Sequence, residues 1–162
     1  MGEIGMLRRL FAYDRWANRL TFDSLRRSPS NNEKARRAFV HLLTAEREWL
    51  SRLRENKDTT GFDFWPEMSL DDCEVLMGET HGAYEALLDG LGEADLDRVA
   101  SYKNSKGVAY RTSFRDILTH VVCHSTYHRG QVAAAVRAEG GEPAYTDYVA
   151  WVRENDRGES GG

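Results

Sequence analysis

The sequence predicts an all-α fold, an up-down four-helix bundle, and three observations carry that expectation. Four stretches repeat their apolar side chains at intervals of three and four, the period of a helix with one buried side. Breakers separate them: Pro29, the run from Gly61 to Pro66, and Gly90-Leu91-Gly92. The chain has 162 residues, 41% hydrophobic and 30% charged, which suits one soluble domain with a real core. That domain is expected over residues 1–155, with a disordered polar tail over 156–162.

The first helix is expected from Glu3 to Arg27, where Leu7, Leu10, Phe11, Ala17, Leu20 and Leu25 form the buried stripe and Pro29 stops it. Ser30 and Glu33 have the spacing of a capping box, so a second helix should run to about Glu55. Its stripe of Ala38, His41, Ala45 and Trp49 turns His41 toward the core. Residues 56–68 then read as a crossover loop, whose Phe62, Phe64 and Trp65 should cover one end of the bundle. Ser69 caps a third helix with Leu76, Met77, Ala83, Tyr84, Leu87 and Leu88 inside. Between Asp97 and Arg111 two β-favouring pieces flank Asn104-Ser105-Lys106-Gly107, a hairpin or irregular segment. Ser113 with Asp116 caps the fourth helix, Gly140-Gly141 and Pro143 close it, and Tyr145 to Glu154 should dock as a short final helix.

A net charge of -4 and a pI near 5.8, with no basic run beyond local pairs, argue against a nucleic-acid or anionic-membrane partner. The amino terminus lacks the pattern of a secretory signal and no apolar run is long enough to span a bilayer, so the expected location is cytoplasmic. Cys73 and Cys123 form no CxxC and fit buried helix positions, which reads as reduced and structural.

The fourth helix carries the chemistry. His120, His124 and His128 follow at intervals of four and share one side. Adjacent members stand about 6 Å apart along the axis, near enough to chelate one ion, whereas His120 and His128 stand about 12 Å apart and cannot share bonds of about 2.0–2.1 Å. One adjacent pair therefore ligates, either His120 with His124 or His124 with His128, and a third ligand comes from elsewhere. A lone core histidine is usually structural, but three on one side plus His41 inside another helix's stripe would leave many ring nitrogens to satisfy without an ion. HExxH and the Glu-x-x-His of carboxylate-bridged di-iron bundles are both absent, so a mononuclear, all-histidine site remains. His81 reads as a boundary histidine, and no serine or cysteine has an arranged base.

HLLTAEREWLSRL and THVVCHSTYHRGQ resemble the DinB family, within the DinB/YfiT-like superfamily of small metal-binding four-helix bundles. FAYDRWAN, NSKGVAYRTSFRDIL and EPAYTDYVAW extend the likeness over nearly the whole chain. Carried over residue by residue, the resemblance implies a metal triad of His41, His124 and His128, with His120 a neighbour able to hydrogen-bond to a ligand or to move a proton. It implies a divalent cation (Zn, Ni, Fe or Mn) and a metal-dependent transferase that uses a low-molecular-weight thiol such as bacillithiol or mycothiol, or a hydrolase. The partners would be a small-molecule electrophile, such a thiol, and a second copy of the chain in a homodimer. The rival readings are a non-enzymatic, stress-associated metal-binding or sensing bundle, and a plain helical interaction module.

Overall fold

The computed structural model describes residues 1–28 and 31–156. Four long helices, α1 (Glu3–Arg27), α2 (Glu33–Arg54), α3 (Leu70–Gly90) and α4 (Phe114–Ala138), make up most of the molecule. Two strands, β2 (Val99–Lys103) and β3 (Ala109–Ser113), form the expected antiparallel hairpin with Tyr102 opposite Tyr110. Gly107 takes φ 78° in its turn, where Asn104 Oδ1 accepts from the amides of Lys106 and Val108. A two-residue strand in the crossover, β1 (Lys57–Asp58), adds to β2 in parallel. So short a piece carries no periodicity and was not foreseen.

The caps explain where the helices begin. Ser113 Oγ accepts from the Asp116 amide at 3.1 Å, and Ser69 Oγ from the Asp72 amide at 3.1 Å, both as the spacing predicts. For α2 the cap is Asn32 rather than Ser30, which lies outside the described residues. Asn32 Oδ1 accepts from the Ala35 amide at 2.9 Å while its Nδ2 donates to the Ala135 carbonyl at 2.8 Å, so one side chain both starts α2 and fastens it to α4. Gly140 closes α4 at φ 77°, a backbone conformation that residues with a Cβ rarely adopt.

Apolar side chains gather at two levels. One cluster joins Leu7, Phe11, Leu50, Leu53, Tyr84, Leu88, Ile117 and Leu118; the other joins Phe22, Phe39, Leu42, Leu43, Leu76, Met77, Val132 and Val136. Chain order through these levels shows that α1 and α4 run one way and α2 and α3 the other. Strict up-down alternation is therefore not what forms: α2 and α3 are parallel, because the 55–69 connection carries the chain back along the length of a helix. Between the levels lies a buried polar layer of Asp14, Asn18, Glu46, Ser125 and Arg129.

α5 (Tyr148–Asp156) docks on α1 through Trp151 against Tyr13, whose hydroxyl donates to the Thr146 carbonyl at 2.8 Å. Asp156, expected to begin the tail, instead ends this helix, and residues 157–162 lie outside the described residues. Cys73 is buried as expected, but Cys123 faces outward, since the inward side of α4 is already taken by Val121, Val122 and Ser125. No helix among the described residues is long and apolar enough to cross a membrane.

Candidate metal centre

α2 and α4 pack on one another more extensively than any other pair of helices, and His41, His124 and His128 meet at that contact. One ring nitrogen from each lies within 4.8 Å of the other two. Nε2 of His124 and Nε2 of His128 are 3.1 Å apart. Nitrogens bound tetrahedrally to one ion at about 2.0–2.1 Å would stand about 3.3 Å apart, so the spacing fits a shared cation.

The outer nitrogens of two of the three rings are held. His41 Nδ1 is 2.8 Å from the Phe64 carbonyl, to which it can only donate, and that leaves Nε2 as its lone-pair nitrogen. His128 Nδ1 lies 2.7 Å from Gln131 Oε1, which likewise leaves Nε2 free to coordinate. Burial depresses the pKa of all three, and for His124, where positive charge on His128, His41 and His120 would add repulsion, the value falls to about 3. At neutral pH the cluster is three uncharged imidazoles, the form that binds metal. The donor set fits a divalent ion of the zinc, nickel or iron kind.

His120 stands apart from the triad. It is exposed, its ring packs on Trp49 at 4.9 Å, and its centroid is 5.3 Å from that of His124. Trp65 stacks on His41 with centroids 3.8 Å apart and planes 6° from parallel, while remaining 42% exposed. The crossover aromatics thus wall the histidines instead of capping the bundle's end, because a flat ring and a backbone carbonyl from one loop both fit the His41 imidazole. Gln131 is a site residue that the histidine pattern does not name, and its i, i+3 spacing to His128 is the signal in the sequence that points to it.

A second cluster of metal-type donors, which no local spacing in the sequence marks, lies in the polar layer. Asp14, Glu46 and His81 also bring ligand atoms within 4.8 Å. Its centre, however, is filled by Asn18 Nδ2, which is 2.9 Å from Glu46 Oε1, 3.3 Å from Asp14 Oδ2 and 3.1 Å from His81 Nε2. Arg129 donates to Asp14 Oδ1 at 2.5 Å and to Asn18 Oδ1 at 2.7 Å, which fixes the amide's orientation, and Ser125 donates to Glu46 Oε1 at 2.6 Å. Burial, then the Glu46 charge, raises Asp14 to about 7, and burial raises Glu46 as well.

Together the helices and the histidine cluster define a class: a small, mostly helical protein with three neutral imidazoles on one point. The chain belongs to the DinB family, whose model matches residues 11–158. It is 22% identical over 160 residues to Protein DinB of Bacillus subtilis (strain 168), a match covering 89% of this chain and 92% of the relative. No solved structure matches it.

Proposed function

We propose that this protein is a metal-dependent enzyme of the thiol S-transferase or hydrolase kind, built on a four-helix bundle, with His41, His124 and His128 holding a divalent cation. The observation that carries this reading is the convergence of three neutral imidazoles within 4.8 Å, two of them with the outer nitrogen already hydrogen-bonded. Such an ion, when bound, draws charge from a coordinated thiol or water so that its proton leaves near neutral pH.

The chain's own residues supply the rest. Phe64 and Gln131 fix two imidazoles by their outer nitrogens, and Trp65 shields the face of His41 from water. His120 lies beside His124, open to solvent on one side and packed on the other against Trp49; that partial desolvation, then the nearby Arg52 charge, lowers its pKa, and it accepts the departing proton. The nucleophile then attacks a small electrophile, forming a bond to carbon as the leaving group departs. In the same proposal the protein acts in the cytoplasm as a homodimer and contacts neither nucleic acid nor membrane.

The test is metal analysis of protein from its own source, followed by a screen of small thiols and water against an electrophile panel. Turnover that depends on the metal and falls in His120→Ala without loss of metal supports the reading. An ion whose coordination sphere is closed, with no turnover, would make it a structural or sensing ion instead.

A further inference from the structure

Between α1 and α3 lies a cavity of about 230 Å³ that none of the triad histidines lines. Its walls are apolar: Phe11 and Tyr84, with ring centroids 4.7 Å apart, and Leu88, all three buried. His81 is the polar group on its floor, with a side chain only 10% exposed. The Tyr84 hydroxyl is already engaged, donating to the Glu46 carbonyl at 2.7 Å. At the mouth the charges are matched: Arg15 donates to Glu85 at 3.3 Å, and Arg8 donates to the Leu88 carbonyl at 2.8 Å with Asp89 4.0 Å away. Two cations and two anions leave the mouth with no net charge.

The hydrogen bonds behind His81 decide which of its nitrogens carries the proton. Arg129 donates to Asn18 Oδ1 at 2.7 Å, so the amide nitrogen Nδ2 is the atom that stands 3.1 Å from His81 Nε2. An amide nitrogen only donates; Nε2 therefore accepts, and the proton of the neutral ring sits on Nδ1. Burial, which lowers the His81 pKa, favours that neutral ring. Nδ1 has no hydrogen-bond partner among the described residues and is not sealed from solvent, so the cavity floor offers one unused N–H. An apolar cavity of about 150 Å³ holds benzene, so this one has room for such a ring and a short substituent. We infer that the cavity binds a small, neutral aromatic carbonyl compound, its ring against Phe11, Tyr84 and Leu88 and its oxygen accepting from His81 Nδ1. A carboxylate is less suited, because the mouth has no net charge and the buried carboxyl groups of Asp14 and Glu46 stand behind His81. The inference is independent of the metal and thiol reading above.

The experiment titrates the full-length protein with benzamide, benzoate and toluene in a calorimeter. Benzamide should bind at one site per chain, more tightly than benzoate. His81→Phe keeps an aromatic ring on the floor but removes the donor; it should weaken benzamide about tenfold, the size of one hydrogen bond, and leave toluene unchanged or tighter. Because that substitution also takes away the acceptor of an Asn18 hydrogen, Ala12→Phe supplies a second arm. Ala12 stands exposed in the cavity wall, and a phenyl ring there should block all three probes with His81 intact. Nitrogen NMR of protein labelled at its five histidines should show the His81 proton on Nδ1, and benzamide but not toluene should move its signal. No saturable binding of benzamide, binding that survives both substitutions, tighter binding of benzoate than of benzamide, or a His81 proton on Nε2 would each overturn the inference.

Discussion

Two clusters in this molecule gather metal-type donors within the same 4.8 Å, yet they are chemically opposite. In the histidine cluster the lone pairs of His41 and His128 point inward because their outer nitrogens are engaged by Phe64 and Gln131. In the acid cluster the space between Asp14, Glu46 and His81 is occupied by the Asn18 amide, whose two hydrogens face three acceptors. Its charges also fail to cancel as written, since two buried carboxyl groups face one Arg129 guanidinium. Both counts are short by one proton, which is what a raised Asp14 and Glu46 supply. Proximity of ligand atoms therefore does not distinguish a metal site; what holds the far side of each donor does.

The largest expected effect is on metal binding. His124→Ala or His128→Ala should abolish stoichiometric uptake of zinc or nickel in titration calorimetry, because either loss breaks the chelate on one rigid helix. His41→Ala should weaken uptake strongly, and His120→Ala should leave most of it. By the same comparison His81→Ala should leave the stoichiometry unchanged. Next in size is Arg129→Ala, which leaves Asp14 and Glu46 without their cation and should cost about 3–5 kcal/mol in a denaturant melt. If that variant melted like the wild type, the polar layer would not depend on the ion pair.

Smaller effects sharpen the contrast. Gln131→Ala frees the outer nitrogen of His128 and should lower metal affinity about 10–100-fold without emptying the site, which competition with a chelator would measure. The two clusters should also respond to pH with opposite signs. Asp14 is raised in the fold, so its contribution to stability is complete below its usual 3.8 and is lost as pH rises through about 7. His124 is depressed, so its contribution is present above 6.5 and is lost as pH falls toward about 3. Glu46→Gln removes one buried charge and should stabilise the protein by about 1–2 kcal/mol near pH 8, with the gain shrinking toward pH 5. Melting curves at several pH values would show it, and an equal change at every pH would mean that no proton is shared there.

The helices were legible because each long segment has an apolar period and a cap, and α1 matches its expected bounds of Glu3 and Arg27. The direction of α3 was not, since periodicity says nothing about which way a crossover carries the chain. His124 and His128 could be paired from spacing alone only up to the choice between two adjacent pairs; the DinB resemblance made that choice and supplied His41. The polar layer escaped notice for a physical reason. Asp14, Asn18, Glu46, His81 and Arg129 come from all four long helices, and each looks locally like an ordinary surface or boundary residue. Only their packing makes them one group.

The most direct test of the distinction between the clusters is anomalous diffraction at the metal's absorption edge, on crystals grown with one equivalent of zinc. One strong peak per chain is expected, bounded by His41, His124 and His128, with nothing between Asp14, Glu46 and His81. A peak in the acid cluster, with the Asn18 amide displaced, or no peak at the three histidines, would contradict it.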